Sequence, residues 1–112
     1  MKIAIPCAEG KLCLHFGHCQ SFEIVTVDPE SKTISASEPM TPPGHEPGVL
    51  PAWLGELGVN MIIASGMGQR AQQLFTQQNI EVVIGAPSTS PQDLAAAYLN
   101  GTLQSGENIC DH

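Results

Sequence analysis

Residues 60–85 have the sequence NMIIASGMGQRAQQLFTQQNIEVVIG, in which two short apolar runs flank a glutamine-rich segment. The runs at 60–65 and 80–85 predict two buried strands, and the segment 68–79 predicts a helix between them. Two strands joined through a helix are expected to be parallel, with a right-handed crossover. This stretch therefore predicts an α/β fold in which helices cover a sheet.

Helices are predicted on both sides of this stretch. VLPAWLGELG at 49–58 predicts a short helix that ends at Gly58. Its apolar face consists of Leu50, Trp53, Leu54 and Leu57. The sequence SPQD at 90–93 places an N-cap serine, a proline and an acid at the start of a last helix, which Asn100 and Gly101 end.

The first forty residues predict strands. Residues 2–6 predict a buried strand that Pro6 ends, and residues 21–27 predict a second strand. A turn at 28–31, set by a proline, leads into an antiparallel return strand at 32–38. The predicted fold is thus a mixed α/β sheet of five strands, with an antiparallel hairpin at one side, followed by βαβα units and with three helices in all.

Composition limits the partners of the chain. Its 112 residues form one domain, and 4 Lys+Arg against 11 Asp+Glu give a net charge of −7. Nucleic-acid affinity depends on cationic side chains that displace counterions, so we expect no nucleic-acid partner and no anionic membrane surface. With 42% hydrophobic residues the chain can nevertheless build a core.

Neither a signal peptide nor a membrane span is evident, which predicts a cytoplasmic protein. In a reducing compartment the four cysteines are expected to be thiols or metal ligands rather than disulfides.

Cysteine and histidine are concentrated in the loop between the first two long strands. The cluster consists of Cys7, Cys13, His15, His18 and Cys19. These side chains are ligands for zinc, copper and iron–sulfur species, although the spacing matches no zinc-finger or ferredoxin pattern. His45 in a second loop and the terminal pair Cys110 and His112 are further predicted ligands.

Each of these residues also has a plain structural interpretation. Cys7 and Cys13 could be small buried hydrophobic side chains. His45 could be a solvated loop histidine, and a terminal pair could lie on a frayed tail.

Gly66, Met67 and Gly68 lie between a predicted strand and a predicted helix. Backbone N–H groups and the helix dipole favour an anion at such a position, and Arg70 would add a positive charge. The alternative is that these glycines only let the helix pack closely on the sheet. A dinucleotide site is not expected, because no acid ends the next strand at 84–86 to hold a ribose.

Several motifs in this order are similar to the dinitrogenase iron–molybdenum cofactor biosynthesis family. They are the opening strand, His15-Phe16-Gly17 before Phe22-Glu23-Ile24-Val25, His45, Gly66-Met67-Gly68 before Arg70-Ala71, and Tyr98-Leu99-Asn100-Gly101-Thr102-Leu103. The resemblance covers residues 1–104 as one domain and leaves 105–112 as a C-terminal tail with Cys-x-His. The family includes nitrogenase cofactor carriers and the orange protein, which has a molybdenum–copper–sulfur cluster.

The resemblance implies a ribonuclease H-like fold and a carrier role related to nitrogen fixation rather than catalysis. The implied cofactor is an anionic metal–sulfur cluster of the iron–molybdenum, molybdenum–copper or iron–sulfur type. Site residues carried over from the family are His15, Phe16, Gly17, His45, Gly66 and Gly68. Metallocluster donor and acceptor proteins are the expected partners, and the chain is expected to be a monomer or a weak homodimer.

Two other functions are compatible with the sequence. The chain could be a regulatory interaction module of the same fold without a cofactor. It could also be a thiol enzyme, with a loop cysteine as nucleophile and His15 or His18 as base.

Overall fold

The computed structural model describes residues 1–13, 20–43 and 48–103. These residues form six strands and three helices. In chain order they are β1 (Lys2–Ala8), β2 (Lys11–Leu12), β3 (Ser21–Asp28), β4 (Thr33–Met40), α1 (Val49–Glu56), β5 (Met61–Ile63), α2 (Gln69–Gln77), β6 (Glu81–Val83) and α3 (Pro91–Leu99). The predicted mixed α/β fold is confirmed, with β2 as an additional short strand.

The strands form one sheet in the order β4-β3-β1-β5-β6, and β2 pairs with β1. Strands β1, β5 and β6 are parallel, as expected for strands connected through helices. Strand β3 is antiparallel to both β1 and β4. The carboxyl ends of the three parallel strands therefore lie at the same edge of the sheet as the start of β3 and the end of β4.

Strand β1 continues through Pro6 to Ala8, so the prediction that Pro6 ends it was wrong. Met1 and Val27 exchange two backbone hydrogen bonds, and the alternation of an antiparallel ladder then leaves Pro6 in a non-hydrogen-bonded pair. On the other side of β1, the parallel register with β5 covers only Ile3 and Ala4. Pro6 can therefore lie within the strand without loss of a bond to β3 or β5. On the side of β1 away from β3 its carbonyl accepts from the Cys13 amide, and it has no N–H to return that bond.

A two-residue turn at Glu9 and Gly10 joins β1 to β2, and the sequence had not indicated it. Both turn residues have positive φ, 56° and 83°, which is the signature of a type I′ hairpin turn. Cys7 pairs with Leu12 across this hairpin.

The β3–β4 hairpin agrees with its prediction. Asp28 accepts a hydrogen bond from the Glu30 amide at 3.0 Å, and Lys32 has a φ of 58° in the turn. Hydrogen bonds, chiefly from the Ser31 side chain, lower the pKa of Asp28. A bulge interrupts the register near Ser35, because Thr26 pairs with Ala36 while Val27 pairs with Ile34.

Two apolar clusters hold the layers together, one on each face of the sheet. On one face Leu50 and Leu54 of α1 and Phe75 of α2 pack on the strands. On the other face Leu94 and Ala95 of α3 do so. Among the described residues, no helix is both long enough and apolar enough to span a bilayer.

The helix ends follow the sequence prediction. Ser90 Oγ accepts from the Asp93 amide at 3.2 Å, Pro91 begins α3, and Gly101 follows its C-cap with a φ of 73°. Gly58 likewise follows α1 with a φ of 81°. These residues were predicted because each satisfies a requirement of a helix end.

Candidate functional site

The residues that flank the predicted site lie at one edge of the sheet, where β1, β4 and β5 end and β3 begins. We call it the site edge and define it by Cys7 and Ala8 of β1, Phe22 of β3, Met40 of β4 and the turn 66–68 after β5. Phe22 pairs with Pro6 and with Met40, which brings the ends of three strands side by side. The opposite end of the sheet, where β1 begins, is called the far edge.

Consecutive carbonyl groups of β1 hold both flanks of segment 14–19. The Cys13 amide donates to the Pro6 oxygen at 3.0 Å, and the Gln20 amide donates to the Cys7 oxygen at 2.8 Å. Both flanks of this segment are therefore fixed at the site edge.

The second histidine segment, 44–47, is flanked at the same edge. It follows Met40 after three residues, and α1 begins two residues beyond it at Val49. The end of α1 lies at the far edge, because Lys2 Nζ donates to the Leu57 oxygen at 2.9 Å. The start of α1 therefore points toward the site edge.

Most of the predicted ligands lie outside the described residues. These are His15, Phe16, Gly17, His18, Cys19, His45, Cys110 and His112. The last described residue, Leu103, donates its amide to the Ala97 oxygen at 3.1 Å, and the neighbouring Tyr98 hydroxyl contacts the Met1 sulfur at 3.7 Å, at the far edge. Residue 103 therefore lies at the end of the sheet opposite to the site edge.

Cys7 and Cys13 are described, and both are buried, with exposed fractions of 5% and 7%. Cys7 belongs to the cluster packed by α3, whereas Cys13 belongs to the cluster packed by α1 and α2. Because Cys7 lies directly opposite Leu12, the next residue along β2 faces the other side of the sheet. This placement on opposite faces favours the packing role that the sequence had left open for both residues.

The environment of Cys7 disfavours its thiolate. Burial raises the pKa of the Cys7 thiol from 9.0 to about 11, and the thiol lies 3.2 Å from the Ile5 carbonyl oxygen as a hydrogen-bond donor. A thiol that stays protonated at neutral pH is a poor nucleophile and must lose a proton to bind a metal. Cys7 is therefore unsuited to the role of catalytic nucleophile.

The turn 66–68 lies after β5, as predicted, with Gly66 and Met67 buried and Gly68 exposed. Gly68 is the N-cap of α2 and makes no side-chain cap, so the first amides of the helix point toward the site edge. A Cβ at Gly68 would meet no atom within 4 Å, and its φ of −66° suits any residue. Gly68 is thus not required for close packing of the helix, whereas Gly66 is buried.

The cations of the described residues divide between the two ends of the sheet. Arg70 in the first turn of α2 and Lys11 in β2 are exposed near the site edge. Lys2 and Lys32 lie at the far edge. Glu9, exposed in the turn beside Lys11, adds a negative charge at the site edge, so Arg70 is the cation of this edge without an adjacent acid in sequence.

No group of three histidine, cysteine or acidic side chains suited to a metal is found within residues 1–13, 20–43 and 48–103.

Two side-chain contacts that the sequence did not indicate hold residues of the site edge in place. Ser88 Oγ donates to the Leu12 oxygen, and the Trp53 ring packs edge-on against Phe22 with centroids 5.8 Å apart. Nothing in the sequence pattern identifies the Ser88 contact, because its partner is 76 residues away.

The family model described as dinitrogenase iron-molybdenum cofactor matches residues 1–101. An uncharacterized protein of Methanocaldococcus jannaschii is 36% identical over 110 residues, covering 96% of this chain and 92% of that protein.

Solved structures share the fold. The protein PH0822 has a TM-score of 0.83 and 27% identity, and the match covers 95% of this chain and 96% of that one. The apo form of the orange protein from Desulfovibrio gigas has a TM-score of 0.72 and 19% identity, with 96% and 93% coverage. The latter likeness concerns the fold alone.

Proposed function

The chain belongs to the dinitrogenase iron–molybdenum cofactor family, and from this premise we propose that it binds a metal–sulfur cluster at the site edge as a carrier. The cluster is of the iron–molybdenum, molybdenum–copper or iron–sulfur type. In this role the chain is not an enzyme, and its partners are the proteins that donate and accept the cluster.

One observation carries the proposal. The flanks of both histidine segments, 14–19 and 44–47, and the turn 66–68 lie at the same edge of the sheet. The cysteine and histidine residues predicted as ligands in these segments are His15, His18, Cys19 and His45. They lie outside the described residues, and their assignment rests on the sequence.

The described residues contribute orientation and charge rather than metal bonds. The first amides of α2 and the side chains of Arg70 and Lys11 favour an anion at the site edge. Cys7 and Cys13 are left out of the ligand set, because they are buried on opposite faces of the sheet. Cys110 and His112 are also left out, because residue 103, the last described residue before them, lies at the far edge.

Anaerobic reconstitution tests the proposal. Protein incubated with iron and sulfide, or with tetrathiomolybdate, should gain charge-transfer absorption that survives desalting. The double variant His15→Ala, Cys19→Ala should lose this absorption. The matched control is Cys110→Ala, His112→Ala, which also removes one thiol and one imidazole but should keep the absorption.

Two results would contradict the proposal. Wild-type protein that stays colourless with every metal and sulfide source would falsify cluster binding. A chromophore lost only in the tail variant would move the site away from the site edge. A thermal midpoint that ignores metals and chelators would favour the interaction module, because a ligand that binds only the native state must stabilise it.

A further inference from the structure

The side chain of Gln72 is hydrogen-bonded to the turn 66–68. Its Nε2 donates to the carbonyl oxygen of Met67 at 3.0 Å, across five residues of sequence. The backbone amide of Gln72 donates to the Gly68 oxygen at 3.1 Å, as a first-turn bond of α2. Side chains of a helix are tilted toward its N-terminus, which allows the half-buried Gln72 to reach back to Met67.

The bond from Gln72 fixes the orientation of the peptide group between Met67 and Gly68. The described residues contain no cis peptide bond, and in a trans peptide the C=O and the N–H point in opposite directions. Because Gln72 holds the Met67 carbonyl, the Gly68 N–H is directed away from Gln72.

The two sides of α2 differ in what they face. Gln72 lines a groove together with residues 79–82, so it lies on the side of α2 next to the edge strand β6. Helix α1 lies on the other side, because its Trp53 packs on Phe22 of β3, three strands away from β6. The Gly68 N–H is therefore directed toward α1 and the middle of the sheet, where the flanks of segment 14–19 are held.

Gly68 by itself does not hold this orientation. A reversal of the 67–68 peptide changes the φ of Gly68 from −66° to a positive value, which glycine adopts about as readily as a negative one. Any other residue at this position would resist the reversal through its own Cβ. In this chain the hydrogen bond from Gln72 selects the observed orientation.

We propose that Gln72 is a positioning residue of the site edge, which directs the Gly68 N–H at the anionic cluster by holding the Met67 carbonyl. The inference rests on the proposed function and adds to it a residue that does not itself touch the cluster. A donor that is already oriented before the anion arrives needs no reorganisation when the anion binds. Loss of one such hydrogen bond should weaken binding about three- to tenfold.

Nuclear magnetic resonance titration with tetrathiomolybdate tests this inference, because this thioanion is diamagnetic and leaves the amide signals sharp. In the wild type the Gly68 amide proton should shift downfield as the thioanion binds. Gln72→Met has a side chain of similar length without a donor. It should bind about three- to tenfold more weakly, and its Gly68 amide signal should already be displaced in the free protein. Gln72→Lys restores a donor and should return that signal toward its wild-type position.

The matched control is Gln73→Met, the same replacement at the next, exposed residue of α2, which should keep the wild-type affinity and Gly68 signal. A Gln72→Met variant with unchanged affinity and an unchanged Gly68 signal would overturn the inference. So would an equal loss of affinity in Gln73→Met. In both cases the wild type still binds the thioanion, so the proposed function stands. A wild type that binds neither tetrathiomolybdate nor iron and sulfide overturns the proposed function and this inference together.

Discussion

The hydroxyl of Ser88 donates a hydrogen bond to the carbonyl oxygen of Leu12 at 2.6 Å, across 76 residues of sequence. The Leu12 amide in turn donates to the Thr89 oxygen at 2.9 Å. Leu12 is buried and immediately precedes Cys13, the first flank of segment 14–19. The loop before α3 therefore fixes the position at which this segment begins.

Replacing Ser88 tests this connection. Ser88→Ala leaves the Leu12 carbonyl without its donor and should lower the free energy of unfolding by about 1 kcal/mol, measured by urea denaturation. The affinity for the cluster should fall as well, because the flank of segment 14–19 loses its support. Ser88→Thr keeps the hydroxyl and serves as the control. Equal stability of the alanine variant and the wild type would show that the bond contributes nothing.

Cys7 makes the stability of the protein depend on pH in the alkaline range. The folded pKa of about 11 is above the unfolded value of 9.0, so the unfolded state loses its proton first. The contribution of the protonated Cys7 thiol to the free energy of unfolding should be fully present below pH 9. It should be lost between pH 9 and 11, which lowers the free energy of unfolding by an amount on the order of 1–3 kcal/mol. Urea denaturation of wild type and Cys7→Ala at each pH isolates this contribution, and identical pH profiles would contradict it.

Gly68 offers a variant in which stability and binding change in opposite directions. Gly68→Ser introduces a preferred N-cap residue into open space and should stabilise α2 by a few tenths of a kcal/mol. The new hydroxyl would occupy an amide that the cluster needs, so the affinity for the cluster should fall several-fold.

Gly58→Ser is the control for this variant. Gly58 has a φ of 81°, so the same substitution there should cost about 1 kcal/mol while leaving cluster affinity unchanged. Thermal midpoints and reconstitution titrations measure the two effects. A cluster affinity that is unchanged in Gly68→Ser would exclude the α2 amides from the site.

Trp53 provides a fluorescence signal for cluster binding. It is the single tryptophan of the chain, and its ring packs against Phe22 at the site edge. A metal–sulfur chromophore that absorbs where indole emits should quench the Trp53 fluorescence on reconstitution. His15→Ala, Cys19→Ala should not be quenched. Quenching of equal size in this double variant would mean that the metal binds elsewhere.

The helices and the parallel strands could be predicted because their signals are local. Ser90, Pro91 and Asp93 act within one helical turn, and Gly101 acts at the residue where α3 ends. Strand β2 could not be predicted in the same way. It has only two residues, and it exists because the turn at Glu9 and Gly10 and the Ser88 contact hold it beside β1.

The candidate site could be predicted only in part. The turn 66–68 was identified because a strand and a helix flank it directly in sequence. The opposite burial of Cys7 and Cys13 was missed, because their six-residue separation would place them on the same face of a continuous strand. The hairpin turn between them changes that relationship, because it places Cys7 opposite Leu12.

The two-residue turn at Glu9 and Gly10 therefore determines which side of the sheet the next residues along the chain face. Because Cys7 lies opposite Leu12, the odd-numbered residues of β1 face the same side of the sheet as the even-numbered residues of β2. A residue inserted after Gly10 with the two-residue turn kept would shift the pairing by one, turning Leu12 away from α3 and Cys13 toward it. Relatives that differ in the length of this turn should accordingly show their apolar positions displaced by one along the next few residues.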